Sequence, residues 1–133
     1  MTVTRPSARP LVLVVDDEEM IRTLVRSLLE PHGYQVVEAE DGEQAVQMIE
    51  AEYADVDLLI TDVRMPGLTG PELATHVRGG RPQLPIIFIS GYVGDVTMDY
   101  CANHTTECLA KPFTMPTMLA AVRRLLAANG VPA

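Results

Sequence analysis

The stretch Leu11-Val-Leu-Val-Val-Asp-Asp-Glu18 decides the fold class. Its apolar residues run on without alternation, the pattern of a strand buried on both faces of a parallel sheet. Carboxylates follow at once, from Asp16 to Glu19. A strand covered on both faces needs helices on either side, so its neighbours should be helical crossovers. The next residues agree. Ile21, Leu24, Val25, Leu28 and Leu29 recur at helical spacing, and the segment stops at Pro31-His-Gly33.

Outward from there, short apolar runs alternate with helical periods through the rest of the chain, the signature of βα units. Residues 34–38 read as a second strand. Asp41 then caps a helix whose apolar face holds Ala45, Val46, Met48 and Ile49. Residues 56–61 read as a third strand, with Asp57 expected to cap or hydrogen-bond at its start, and Met65-Pro-Gly67 must be loop. Thr69-Gly-Pro-Glu72 has capping-box spacing with proline in the first turn, opening a helix through Leu73, His76 and Val77.

A fourth strand covers 86–89 and a short fifth one 107–110. A closing amphipathic helix over 114–128 puts Met118, Leu119, Val122, Leu125 and Leu126 on one side. Between Gly94 and His104, Asp95 offers a cap but the apolar spacing is poor, so any helix there is expected to be short or mobile. The reading is thus a doubly wound α/β domain over 11–128, a flexible lead-in at 1–10 and a tail at 129–133. No output module is expected on either side. The chain is either a stand-alone unit or a piece of a larger protein.

Composition bounds the partners. The 133 residues suit one domain, and 47% hydrophobic with 21% charged residues is ordinary for a globular core. A net charge of −8 repels phosphate backbones and anionic membrane surfaces, which argues against direct nucleic-acid or membrane binding. Two cysteines, Cys101 and Cys108, are too few for a disulfide framework, so a reducing cytoplasm is the simplest compartment. The apolar run at 11–15 is too short for a secretory leader or a membrane span.

In an open parallel sheet, ligands gather at the carboxyl ends of the strands. The first strand ends in Asp16-Asp17, the third in Asp62, the fourth in Ser90, and Lys111 follows the fifth. Converging carboxylates repel one another unless a cation joins them. A hard divalent ion such as Mg²⁺ fits oxygen ligands, and no histidine or cysteine stands at these strand ends to favour zinc. Lys111 supplies a fixed positive charge and Ser90 a hydroxyl, both suited to a tetrahedral oxyanion near Asp62. A carboxylate attacking phosphorus gives an acyl phosphate, so Asp62 reads as a nucleophile. Neither a P-loop nor a kinase-type glycine loop is present, which makes ATP an improbable direct donor.

Val14-Val-Asp-Asp-Glu18, Asp57-Leu-Leu-Ile-Thr-Asp-Val-Arg-Met-Pro-Gly67 with Gly70, Ile89-Ser-Gly91 and Leu109-Ala-Lys-Pro-Phe113 occur in that order. Over almost the whole length from Leu11 to about Ala128, this set resembles the response-regulator receiver domains of two-component signalling. The resemblance implies a flavodoxin-like five-stranded sheet in order 2-1-3-4-5. It also implies that Asp62 takes a phosphoryl group from a phosphohistidine on a histidine kinase or phosphotransfer protein, and that the domain then changes conformation to signal to a downstream partner. By matching position, Asp17, Asp62 and the backbone carbonyl of Arg64 would ligate Mg²⁺, with Asp16 acting through water. Ser90 and Lys111 would bind the phosphoryl oxygens, with Lys111-Pro112 as the family's cis peptide. No substrate turnover is expected, and the assembly would be a monomer or weak dimer.

The family carries an aromatic switch residue three positions before the lysine, where this chain has Cys108. A thiol supplies no ring, so the output route is expected to differ. Arg64 and Tyr92, two residues beyond Asp62 and Ser90, flank the path of the water that attacks the acyl phosphate in that family, and their bulk is expected to slow hydrolysis. Cys101, His104 and Cys108 lack a fourth ligand and read as structural rather than metal-binding. His32 and His76 read as surface residues. Two other functions compete with a receiver. One is a Mg²⁺-dependent phosphohydrolase with an aspartyl nucleophile, which would want an acid where Arg64 stands. The other is a phosphate-independent docking module.

Overall fold

The computed structural model describes residues 9–91 and 105–130. The apolar run quoted above forms β1 (Leu11–Val15), every residue of it buried, as expected of a strand with helices on both sides. It is followed by α1 (Glu19–Leu29), β2 (Gln35–Ala39), α2 (Gly42–Ala51), β3 (Leu58–Asp62), α3 (Gly70–Gly80), β4 (Ile86–Ser90), β5 (Thr106–Ala110) and α4 (Met115–Ala128). The strands form one parallel sheet in order β2-β1-β3-β4-β5. This is the order that the resemblance implies. The residues singled out between β4 and β5 (Tyr92, Cys101, His104 and the helix at 94–104) lie outside the described residues.

Successive side chains of a strand point to opposite faces, and the core divides accordingly. Val12 and Val14 of β1 pack with Val25 and Leu29 of α1 and with Met118, Val122 and Leu126 of α4. Leu11, Leu13 and Val15 face the other way, against Ala45 of α2 and Leu73, Ala74 and Val77 of α3.

Local chemistry sets the helix ends. The Asp41 side chain accepts a hydrogen bond from the Gln44 amide, and Thr114 does the same for Thr117. Thr69 and Glu72 form the reciprocal capping box that their spacing predicts. At the end of α1, a single 3-10 turn, Glu30–His32, leads to Gly33 in the left-handed region at φ 94°, a conformation glycine adopts without a Cβ clash.

Some details differ from the sequence reading. Leu24, counted on the apolar face of α1, is 41% exposed, whereas Val25, Leu28 and Leu29 are buried as expected and Arg22 is buried beside them. The third strand begins at Leu58 rather than 56, because Val56 closes a turn onto the Tyr53 carbonyl. Asp57 stands at the strand's entry as expected, its Oδ2 accepting from the Leu11 amide at 2.7 Å. Cys108 lies in β5, partly buried against the core, and is disulfide-bonded rather than a free thiol. His32 and His76 are exposed.

Candidate functional site

Parallel strands that end at one level bring their last residues together. Register pairs Asp62 with Ile89 and Ser90 with Ala110, so β3, β4 and β5 end side by side, and Asp16 and Asp17 follow directly on β1. Carboxylate oxygens of Asp16, Asp17 and Asp62 lie within 4.8 Å of one another. Asp16 and Asp62 are buried and Asp17 is exposed, which leaves the cluster open on one side. Lys111 reaches across from the end of β5. Its Nζ lies 3.1 Å from Asp62 Oδ2, 3.5 Å from Asp16 Oδ2 and 3.4 Å from Glu18 Oε1.

The backbone fixes these groups in place. The Lys111 amide donates to the Ser90 carbonyl at 2.7 Å, and the Lys111-Pro112 peptide is cis. The Arg64 amide donates to Asp62 Oδ1 at 3.3 Å, and the residue is exposed. Gly70 opens α3 directly against the strand end, where a Cβ would stand 2.3 Å from the Asp62 carbonyl oxygen. The loop between β3 and α3 rests on α2, since Glu43 accepts from the Leu68 amide at 3.3 Å.

The electrostatics follow from burial. Asp16 is fully buried, and desolvation pushes its carboxyl up to about 6. The Glu18 amide and the Lys111 charge oppose that rise, whereas the charges of Asp62 and Asp17 add to it. Burial works to lower the pKa of Lys111, but the hydrogen bond to Asp62 and the charges of Asp16, Asp62 and Glu18 outweigh it, and the ammonium is held above its ordinary value.

Asp16 Oδ1 accepts from the Glu18 amide at 2.8 Å, whereas its Oδ2 is buried with no hydrogen-bond partner. Its charged neighbour is the Lys111 ammonium at 3.5 Å, and a buried carboxylate oxygen without a hydrogen bond suits a further cation or a water. An all-oxygen donor set of several carboxylates with one open side fits a hard divalent ion such as Mg²⁺.

Of the residues picked out by strand ends, the structure gathers Asp16, Asp17, Asp62 and Lys111 into one pocket and sets Ser90 at the adjoining strand end. Two contributors were missed. Glu18 pairs with Lys111 and donates its amide to Asp16. Arg22 is buried beneath the same turn, its Nη1 donating to the Asp16 carbonyl at 2.8 Å. Arg22 had a legible signal, for it shares a helical stripe with Val25 and Leu29, where a charge is out of place.

Comparison with known proteins agrees with this geometry. The family model for the response regulator receiver domain matches residues 12–123. The sensor kinase CckA of Brucella abortus is 33% identical over 121 residues, a match that spans 90% of this chain and 13% of that protein. The response regulator MprA of Mycobacterium tuberculosis is 36% identical over 118 residues, spanning 86% of this chain and 50% of that protein. The chain therefore covers half or less of the length of these relatives. Among solved structures, the chemotaxis response regulator CheY4 of Vibrio cholerae superposes with a TM-score of 0.77 at 34% identity, over 89% of this chain and 99% of that one. Among the described residues no helix is long and apolar enough to cross a membrane. With its five strands in this order, its acids and lysine at the strand ends and a family match over most of its length, the chain belongs to the response regulator receiver domains of two-component signalling.

Proposed function

We propose that Asp62 is the phosphoacceptor of this receiver and takes its phosphoryl group from a phosphohistidine on a histidine kinase or phosphotransfer protein. The observation that carries the reading is the contact of Lys111 Nζ with Asp62 Oδ2 at 3.1 Å, beside two further carboxylates at the end of the sheet. A carboxylate held there beside a fixed cation has a partner for the charge that arrives. An oxygen of Asp62 bonds to phosphorus as the phosphorus–nitrogen bond of the donor breaks, and that bond's electron pair returns to the donor imidazole. Lys111 then pairs with a phosphoryl oxygen, and the Ser90 hydroxyl donates to another.

Asp17, Asp62 and the Arg64 carbonyl would hold Mg²⁺ directly and Asp16 through water. When bound, the ion neutralises the carboxylates and the incoming phosphoryl charge. Arg64 stands where an aspartyl phosphohydrolase would want its second acid, so the chain serves as a signalling module rather than a turnover enzyme. The phosphorylated domain passes its state to a downstream protein.

Incubation with acetyl phosphate and Mg²⁺ tests the reading. Wild type should take up one phosphoryl group per chain and Asp62→Ala none. Equal labelling of the two, or a wild type that never labels, would overturn it.

A further inference from the structure

Arg22 is 7% exposed, although it carries a charge that cannot be shed. Its Nη1 donates to the main-chain carbonyl of Asp16 at 2.8 Å, and its Nε to Glu38 Oε1 at 3.1 Å. The second oxygen of Glu38 takes Arg26 Nε at 2.7 Å, and Arg26 also meets Glu30 at 2.9 Å. Since Glu38 pairs in register with Val14, this chain of ions runs from α1 across β2 to the turn that follows β1.

An ion pair with one buried partner and one half-buried, as Arg22 and Glu38 are, is a weak source of stability, because apolar residues of the same volume generally do as well or better. Its value lies in direction. The guanidinium fork fixes two acceptors in one plane, which a lysine does not do. Here one acceptor is Glu38 and the other is the carbonyl of Asp16, whose buried Oδ2 has no hydrogen-bond partner and faces the Lys111 ammonium at 3.5 Å. The turn is thus held twice, at its side chain by the Glu18 amide and at its main chain by Arg22.

We propose that Arg22, aimed by Glu38, is a positioning residue that holds the turn at Asp16 and Asp17 in the conformation in which both carboxylates serve one divalent cation. The inference rests on the Mg²⁺ reading above. Arg22 itself touches neither cation nor phosphoryl group. Its loss should show in metal affinity, and partners of this kind are typically worth about 10–100-fold.

The test is direct titration of the metal-free chain with Mg²⁺ by calorimetry, and with Mn²⁺ by electron paramagnetic resonance, at a temperature where every variant is folded. Arg22→Met should weaken binding by about tenfold or more. Its labelling by acetyl phosphate should be slow at limiting Mg²⁺ and recover toward wild type at saturation. Arg22→Lys should recover part of the affinity. Arg26→Met removes a partner of the same Glu38 without touching Asp16, and should bind as wild type does. Exchange of the Glu18 amide in metal-free Arg22→Met should also be faster. If Arg22→Met does not fold, Arg22→Lys and Glu38→Gln carry the comparison. Variants that bind Mg²⁺ as wild type does overturn the inference alone. A wild type that binds no Mg²⁺ overturns the metal reading and this inference with it.

Discussion

Substituting Gly70 by alanine should damage both the fold and the site. The added Cβ would meet three backbone atoms: the Asp62 carbonyl oxygen at 2.3 Å, Val63 Cα at 3.0 Å and the Asp62 carbonyl carbon at 3.1 Å. The first is about 1 Å short of the roughly 3.3 Å at which carbon and carbonyl oxygen meet without strain. Neither side yields easily. The Gly70 amide donates to the Val63 carbonyl at 2.9 Å, the capping box holds the start of α3, and Leu73, Ala74 and Val77 anchor that helix in the core. Overpacking of this kind costs about 1–3 kcal/mol, and a clash of backbone with backbone belongs at the upper end. What movement occurs is passed to Asp62, where a misplacement of about 1 Å is worth about 100-fold in rate. Urea denaturation and the rate of labelling by acetyl phosphate measure the two effects. Gly79→Ala is the internal control, since nothing lies within 4 Å of its Cβ position and alanine there should add about 0.5–1 kcal/mol. A Gly70→Ala variant with wild-type urea midpoint and labelling rate would refute the reasoning.

Three other outcomes are expected. Tyr34 is 1% exposed and its hydroxyl has no hydrogen-bond partner, so Tyr34→Phe removes an unreturned desolvation cost of about 1–3 kcal/mol and should match or exceed wild type in urea. Mg²⁺ at ten times its dissociation constant should stabilise wild type by about 1.4 kcal/mol in thermal denaturation, and Asp17→Asn should lose most of that gain. Arg64→Asn keeps the main-chain carbonyl but removes the bulk beside Asp62, so the phosphorylated state should decay faster; an unchanged or longer lifetime would sink the idea that this side chain slows hydrolysis.

Much of the site was legible because period and position carry it. An uninterrupted apolar run followed by two acids marks a buried strand and its carboxyl end, and repeating that logic at Asp62 and Lys111 picks out groups that the fold brings together, with Ser90 at the adjoining strand end. Capping is likewise local, as at Asp41 and Thr69. What escaped depends on contacts between distant segments. The role of Arg22 depends on β2 lying beside β1, which brings Glu38 to it, and an apolar count of α1 passes over it while admitting Leu24, which is exposed. That Gly70 is pressed against the Asp62 carbonyl follows from how α3 enters the sheet, not from the glycine itself. That the buried Oδ2 of Asp16 has no hydrogen-bond partner is equally a product of three-dimensional enclosure.

Mapping the phosphoryl group tests the central claim most directly. Wild-type protein labelled with acetyl phosphate and Mg²⁺ is reduced with borohydride, which converts an aspartyl phosphate to homoserine, and its peptides are then sequenced by mass spectrometry. The account predicts homoserine at position 62, absent when Mg²⁺ is withheld. Conversion at another aspartate, or labelling that does not depend on Mg²⁺, would contradict it.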